Sequence, residues 1–451
     1  MLLKSKVVSI ILTVLIVASV ATGCNRGAAR GVSGDSRNIS VLNYADNTNP
    51  NTLATFEWTW GTFRAANPDV TLMIEDLFNE PFHNKTEAYS ASGNLPDVLY
   101  VWPSGRSTSL HQNRQLKDLG PLVTRDGLRS VYSPAALDPS QQASGYLAMI
   151  PLTMTATHAF FVNLEVLNAV NLQPAKTYDE LRAQVPILRA AGYETVIMPN
   201  KDTWVMQSCL FSMIAGRFGG PGWHDKILSG QAKFTDPDFV NALDFIRRLY
   251  ADNVLAPASL GLDYGAGPGQ FATNRGAYYI DGDWRTGAFI TDSSTGEALI
   301  PVSRQNNFLV TVFPDIAGAK INKSNSTVLG VGWAISAAVP TGSPREDAAW
   351  RLVKWLTGRE VLTRGIRDGA YSSTSRTDID VSALPLEPLQ KTAANLSSEY
   401  TSATVVIDAV FHSDIFNVVN DGLREIALGR KTPQQVATEI QRAFDRWKAR
   451  N

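Results

Sequence analysis

Three short apolar runs, at residues 39–44, 70–75 and 96–102, alternate with stretches of helical period, and this alternation leaves the chain few folds to choose from. The first run is Ile39-Ser40-Val41-Leu42-Asn43-Tyr44. After it, Leu53, Phe56, Trp60 and Phe63 recur at spacings of three and four, the mark of one helical face. Pro68 ends that helix, and Val70-Thr71-Leu72-Met73-Ile74-Glu75 reads as the second strand. Another helical stretch leads to Asp97-Val98-Leu99-Tyr100-Val101-Trp102. Strand, helix, strand, helix, strand at this pitch demands βαβ units and a parallel sheet. Ligands of open α/β sheets sit beyond the carboxyl ends of the strands, so the loops after Tyr44 and Trp102 are the expected binding loops.

The N-terminus adds a location. Lys4 and Lys6 precede an apolar run at 7–20, too short to span a bilayer in comfort but right for the core of a leader peptide. Ala21-Thr22-Gly23 then leads into Cys24 in the pattern of a lipobox. This predicts a leader at 1–23, acylation of Cys24 and a Gly/Ser/Ala-rich tether over 24–37. The protein is then expected on the outer face of the cell membrane, held by a lipid anchor. About 410 residues follow, too many for one core, so two domains are expected. Of the two cysteines, an acylated Cys24 leaves Cys209 without a disulfide partner. Cys209 lies in a hydrophobic helical stretch and reads as a buried small apolar residue. The balance of 41 Lys+Arg against 42 Asp+Glu offers no basic surplus for nucleic acid.

Helix starts are written at Thr177, Asp236, Ser343 and Thr432, and the C-terminal third reads as mostly helical. Several stretches then resemble one family. Gly93-Asn94-Leu95-Pro96-Asp97-Val98 is similar to the entry to its third strand. Phe161-Val162-Asn163, Pro174 and Thr177-Tyr178-Asp179-Glu180-Leu181 resemble a second motif. Phe271-Ala272-Thr273-Asn274-Arg275-Gly276 through Asp281-Gly282-Asp283-Trp284 resembles a third, with Asn274-Arg275 where Gly-Lys is usual. Gly332-Trp333, the helix after Pro344, and Gly429 to Val436 follow in the family's order. The chain is thereby similar to the family 1 extracellular solute-binding proteins of sugar importers. The resemblance implies an α/β, two-lobe periplasmic-binding-protein fold of type II character, each lobe a sheet flanked by helices, with the ligand cleft between them. It also implies an N-terminal lobe of 38–152 plus 283–338 and a C-terminal lobe of 153–282 plus 339–451, with crossings near Leu152, Gly282 and Val339. The expected partners are a small-molecule carbohydrate and the ABC permease subunits in the membrane. The protein would act as a monomer and need no cofactor.

A sugar presents C–H faces and a rim of hydroxyls, so its site needs flat aromatic rings and directional polar groups. Trp102, at the end of the third strand, is either a cleft platform or the rim of a core. Trp284 is the strongest platform candidate, with Asp283 beside it as a hydroxyl acceptor. Trp333 could face the cleft or the core. Asp46 and Asn47 follow the first strand and are well placed, whereas Asp97 could equally be structural. From the resemblance come Trp204 and Phe416, where maltodextrin-binding relatives place stacking rings, and Arg376 in a Ser/Thr-rich loop. Trp60, Trp350, Trp355 and Trp447 fall on apolar helical faces and read as core.

A surface carbohydrate-active hydrolase is the main rival, and it needs two carboxylates about 5–10 Å apart. Asp281 and Asp283 are the nearest pair, and a structural role suits them better. The five histidines are scattered, so neither a metal site nor a catalytic constellation is expected. A non-sugar cargo remains an alternative. An iron chelate would want a tyrosine cluster, but Tyr278 and Tyr279 alternate faces on a strand. A sensor that reports its ligand to a receptor is a third possibility.

Overall fold

The computed structural model describes residues 37–103, 105–142, 144–396, 400–402 and 405–450. The leader, Cys24 and the tether up to residue 36 lie outside the described residues. Two sheets organise the chain. The first contains β1 (Asn38–Tyr44), β2 (Thr71–Leu77), β3 (Val98–Val101), β4 (Ile150–Pro151) and β12 (Gly332–Ile335), in the order β2-β1-β3-β12-β4. β1 runs parallel to both β2 and β3, as the alternation of strands and helices requires. β12 enters antiparallel between β3 and β4. The helices Pro50–Ala66 and Glu80–Ser92 make the crossovers. Phe56, Trp60 and Phe63 of the first helix are buried, but Leu53 is 40% exposed; Thr52, Thr55 and Thr59 complete the buried stripe instead.

The second sheet contains β6 (Ala159–Asn163), β7 (Glu194–Ile197), β8 (Gly276–Asp281) and β9 (Phe308–Thr311), in the order β7-β8-β6-β9. Its central strands are buried on both faces. The two-residue period sends Phe160, Val162, Tyr278 and Ile280 into one core and Phe161 and Tyr279 into another. The helices Ser413–Ala427 and Pro433–Arg450 close over the first of these cores. Between the sheets lies a two-stranded ribbon, in which β5 (Met154–Ala156) pairs antiparallel with β11 (Thr327–Leu329). The result is two α/β lobes joined by that ribbon.

The expected lobe boundaries need correction. Phe289, Ile290, Ile300, Phe308 and Val310 pack under the second sheet, so most of 283–338 belongs there rather than with the N-terminal lobe. The helix Pro344–Leu356 and the helix Arg359–Arg367 were expected in the C-terminal lobe. They instead send Trp350, Leu352, Val353, Leu356, Leu362 and Ile366 into the core of the first sheet. The cause is β12: a helix that directly follows an inserted strand covers the sheet that received it. The chain passes between lobes beside Leu152, again through β11, and finally between Leu386 of the first core and Leu389 under the second sheet. Gly282 and Val339 are not crossings of that kind.

Helix starts follow the sequence at Thr177 and Ser343, whose side chains accept from the backbone N–H of Glu180 and Glu346. Asp236 makes no cap bond to its helix; its carboxylate accepts the backbone N–H of Lys233. Among the described residues no helix is long and apolar enough to cross a membrane.

Asp97, at the start of β3, is a structural anchor. It accepts from the backbone N–H and the hydroxyl of Ser40, both at 2.8 Å. Arg345 grips both of its oxygens, at 2.8 and 2.7 Å. This forked ion pair fastens β1, β3 and the helix Pro344–Leu356 together. Asp97→Asn removes one arm of it and is expected to cost about 2 kcal/mol. Urea denaturation measures that loss, and ligand affinity should be unchanged because Asp97 does not line the cleft.

Candidate functional site

The strand order of the first sheet decides where a cavity can form. From β1 the chain moves outward to β2, then returns past β1 to β3, so the carboxyl ends of β1 and β3 flank a crevice. A cavity of about 230 Å³ opens there, between the two lobes. Its first wall carries Tyr44, Asp46, Asn49 and Phe56 from around β1, Phe78, Asn79 and His83 from after β2, and Tyr100, Trp102 and Arg106 from β3 onward. Its second wall carries Trp204, Ser208, Tyr264, Trp284 and Asp408. Thr153, Thr155 and Thr157 with Val328 to Val331 bring the connecting ribbon to the cavity.

Both walls are built of locked aromatic rings. Trp102 stands edge-on to Tyr44 with centroids 5.2 Å apart, and His83 lies against it at 4.8 Å. Tyr44 in turn stacks on Tyr100 at 5.7 Å. Burial, helped by the charge of Arg106, pushes the His83 imidazole down to about 2, so the ring is neutral at ordinary pH. On the second wall Trp204 meets Tyr264 at 5.1 Å and Trp284 at 6.5 Å. Trp284 donates its indole N–H to the Tyr264 hydroxyl at 2.8 Å. The Trp284 ring folds back over Gly282, where a Cβ would lie 2.1 Å from it, so only glycine fits that position. The indole N–H of Trp204 is buried without a partner among the described residues.

A polar relay passes behind these rings and joins the lobes. The Asp46 carboxylate accepts from the Thr48 backbone N–H at 2.8 Å and its hydroxyl at 2.6 Å. Arg285 donates to that same hydroxyl at 3.0 Å and to Asp281 at 3.1 Å. The Arg285 guanidinium also lies 3.8 Å above the face of Tyr264. Arg285 and Asp281 are both fully buried. Burial pushes the Asp281 carboxyl above its ordinary value, against the pull of Arg285 and of hydrogen bonds from Gly282 and Tyr279.

Of the candidate ligand-binding residues, Asp46, Trp102, Trp204 and Trp284 come together on the walls of this one cavity. The others do not. Asn47 is exposed beside it. Asp97 is held by Ser40 and Arg345. Trp333 has no exposed surface: β12 is an interior strand, and the indole is edge-on to Trp60 at 5.9 Å and Tyr100 at 5.3 Å. Arg376 is turned to Asp378 at 2.7 Å and to the Tyr132 side of the first lobe. Phe416 sits in the second core, one layer behind the wall, under the guanidinium of Arg106. Asp283 is buried behind Trp284, where it accepts the Ala156 N–H of the ribbon at 2.9 Å. Tyr278 and Tyr279 are both fully buried on opposite faces, which removes the tyrosine pair an iron chelate would need. Cys209 is buried, with its thiol 3.7 Å from Asp281.

Tyr44, Phe78, His83, Tyr264 and Tyr371 were missed as wall residues. Tyr44 carried a readable signal, as the last residue of a strand that opens on a binding loop. Phe78, Tyr264 and Tyr371 lie in connecting segments without periodicity, and His83 lies on the helix Glu80–Ser92, where only Phe82 is fully buried.

Residues 50–362 match the family described as bacterial extracellular solute-binding protein. The chain is 24% identical over 330 residues to a maltotriose-binding protein of Pyrococcus abyssi, a match spanning 72% of this chain and 64% of that relative. It therefore spans less than two thirds of that relative's length. It is 21% identical over 400 residues to an uncharacterised ABC transporter extracellular-binding protein of Pyrococcus horikoshii, covering 85% of this chain and 86% of the other. In fold it is similar to the solved structure of a chitin oligosaccharide binding protein, with a TM-score of 0.80 at 20% identity over 91% of this chain and 99% of that one. The family match runs through both sheets and both walls of the cleft, and the chain belongs to the bacterial extracellular solute-binding proteins.

Proposed function

We propose that this protein captures a carbohydrate outside the cytoplasm and passes it intact to an ABC importer. The observation that carries this reading is the pairing of walls: Trp102 on one lobe faces a cleft whose other lobe contributes Trp204 and Trp284. Two sets of flat rings suit the C–H faces of a sugar, and Asp46 and Asn79 suit its hydroxyls. The maltotriose-binding relative and the chitin oligosaccharide-binding neighbour support a saccharide as cargo. The relative described as an ABC transporter binding protein supports delivery to an importer. Of the two carboxylates on the walls, Asp408 is engaged by Arg106 and Ser208, and Asp46 by Thr48. That arrangement favours holding a hydroxyl over breaking a glycosidic bond. The protein is a monomer in this reading, anchored through acylated Cys24.

Micromolar affinity is about −8 kcal/mol. Each aromatic contact adds roughly 0.5–1.5 kcal/mol beyond the area it buries, so hydroxyl hydrogen bonds and lobe closure must supply much of the total. A calorimetric screen of mono- and oligosaccharides is expected to find a ligand. Trp284→Ala is then expected to lose about 2 kcal/mol, roughly 30-fold in affinity, with the melting temperature little changed. Undiminished affinity in that variant would remove the stacking role. Release of reducing ends during incubation would favour the hydrolase.

A further inference from the structure

The second wall of the cleft holds a side chain from the first. Arg106, just beyond β3, reaches over to Asp408 and donates to it at 3.1 Å. The two side chains are only 12% and 10% exposed. Ser208 fixes the same Asp408 oxygen at 3.0 Å, so the acceptor is not free to swing. The backbones also touch here: a Cβ on Gly105 would lie 1.3 Å from the Asp408 carbonyl oxygen, so only glycine permits the approach. The Arg106 guanidinium lies 6.0 Å from the centroid of Trp204 and 5.9 Å from that of Phe416. The part of the Trp204 face that this cation covers is not available to a further sugar ring.

We propose that the Arg106–Asp408 bridge is a stop, closing this flank of the cleft and limiting the ligand to a short saccharide held whole inside the cavity. This rests on the carbohydrate reading above and specifies it. The cavity, at about 230 Å³, lies below the roughly 300–1,000 Å³ that accommodates drug-sized molecules, which suits about one or two sugar rings. A longer chain would have to break a buried ion pair, part the Gly105–Asp408 contact and displace the guanidinium from two rings. Arg106 thus determines specificity, because it occupies the place where a further platform would otherwise be offered.

The test is a length series on the full exported chain. Malto-, xylo- and chito-oligosaccharides from monomer to hexamer are titrated by calorimetry into the wild type, Arg106→Ala and Asp408→Asn. In the wild type the monomer or dimer of the accepted series should bind at least about tenfold tighter than its pentamer. Arg106→Ala should erase most of that ratio by uncovering Trp204. Asp408→Asn keeps an acceptor for Ser208 while loosening the bridge, and should erase part of it. It also serves as the second reading should Arg106→Ala melt early. Wild-type affinity that holds or rises with chain length would overturn the stop and leave the carbohydrate reading standing. So would a length preference that neither variant alters. Binding of no saccharide at any length would overturn both.

Discussion

Arg285→Ala is expected to lose about 3–5 kcal/mol of stability, a cost set by the charge it would strand. Arg285 and Asp281 have no exposed side-chain surface, and among the described residues their contact at 3.1 Å is the one ion pair in which both side chains are fully buried. The guanidinium also covers the face of Tyr264 and reaches Thr48 of the other lobe. Without it, the Asp281 carboxyl would sit among Tyr264, Tyr279 and Cys209 with nothing opposite in charge. Guanidinium chloride denaturation measures the loss. A drop below about 1 kcal/mol would show that the pair is not uncompensated on truncation. Asp281→Asn should rescue part of the loss when combined with Arg285→Ala, and the double-mutant cycle gives the coupling directly.

Asp283→Asn is expected to act in the other direction, and only at higher pH. Burial pushes the Asp283 carboxyl up to about 7, against hydrogen bonds from Ala156, Ser372 and Trp284. One of its oxygens and the Thr286 hydroxyl are buried without a partner among the described residues. Both residues line a pocket of about 20 Å³, room for a single water. Below the ordinary aspartate range both the folded and unfolded chains are protonated there, and the group costs nothing. As pH rises from about 4, the unfolded chain releases its proton while the folded chain keeps it. Stability therefore falls until pH reaches about 7, by about 4 kcal/mol at most. Asparagine removes that penalty and keeps an acceptor for the ribbon. Melting curves of the variant and wild type should coincide near pH 4 and diverge upward for the variant by pH 8. Parallel curves across that range would mean the carboxyl is not strained by burial.

The sequence and the structure agree best where a pattern is local. The β1-to-β3 alternation is carried by residues within a turn or a strand of one another, and the binding loops after Tyr44 and Trp102 follow from it. Cross-chain pairing left no such trace. That β12 would slip between β3 and β4 depends on partners far away in sequence. This hid the burial of Trp333 and drew the helix Pro344–Leu356 into the first lobe. Arg376 had a suitable loop but a closer carboxylate in Asp378. Phe416 was placed in the right region of space, one layer too near the cleft. Asp283 was singled out beside Trp284, but the backbone N–H of Ala156, distant in sequence, claims its oxygen. In each case residue type and neighbourhood were informative, and the direction of the side chain was decided by a contact that no window of sequence contains.

The position of β12 also bears on the order in which the molecule can be made. Its two neighbours, β3 and β4, are synthesised early, but the strand that fills the gap between them emerges only with Gly332–Ile335. Until then the opening half of the polypeptide has an unfinished sheet and cannot seal its interior, and non-local closure of this kind is slow. A nascent chain so arranged stays threadable while most of its length is still being delivered.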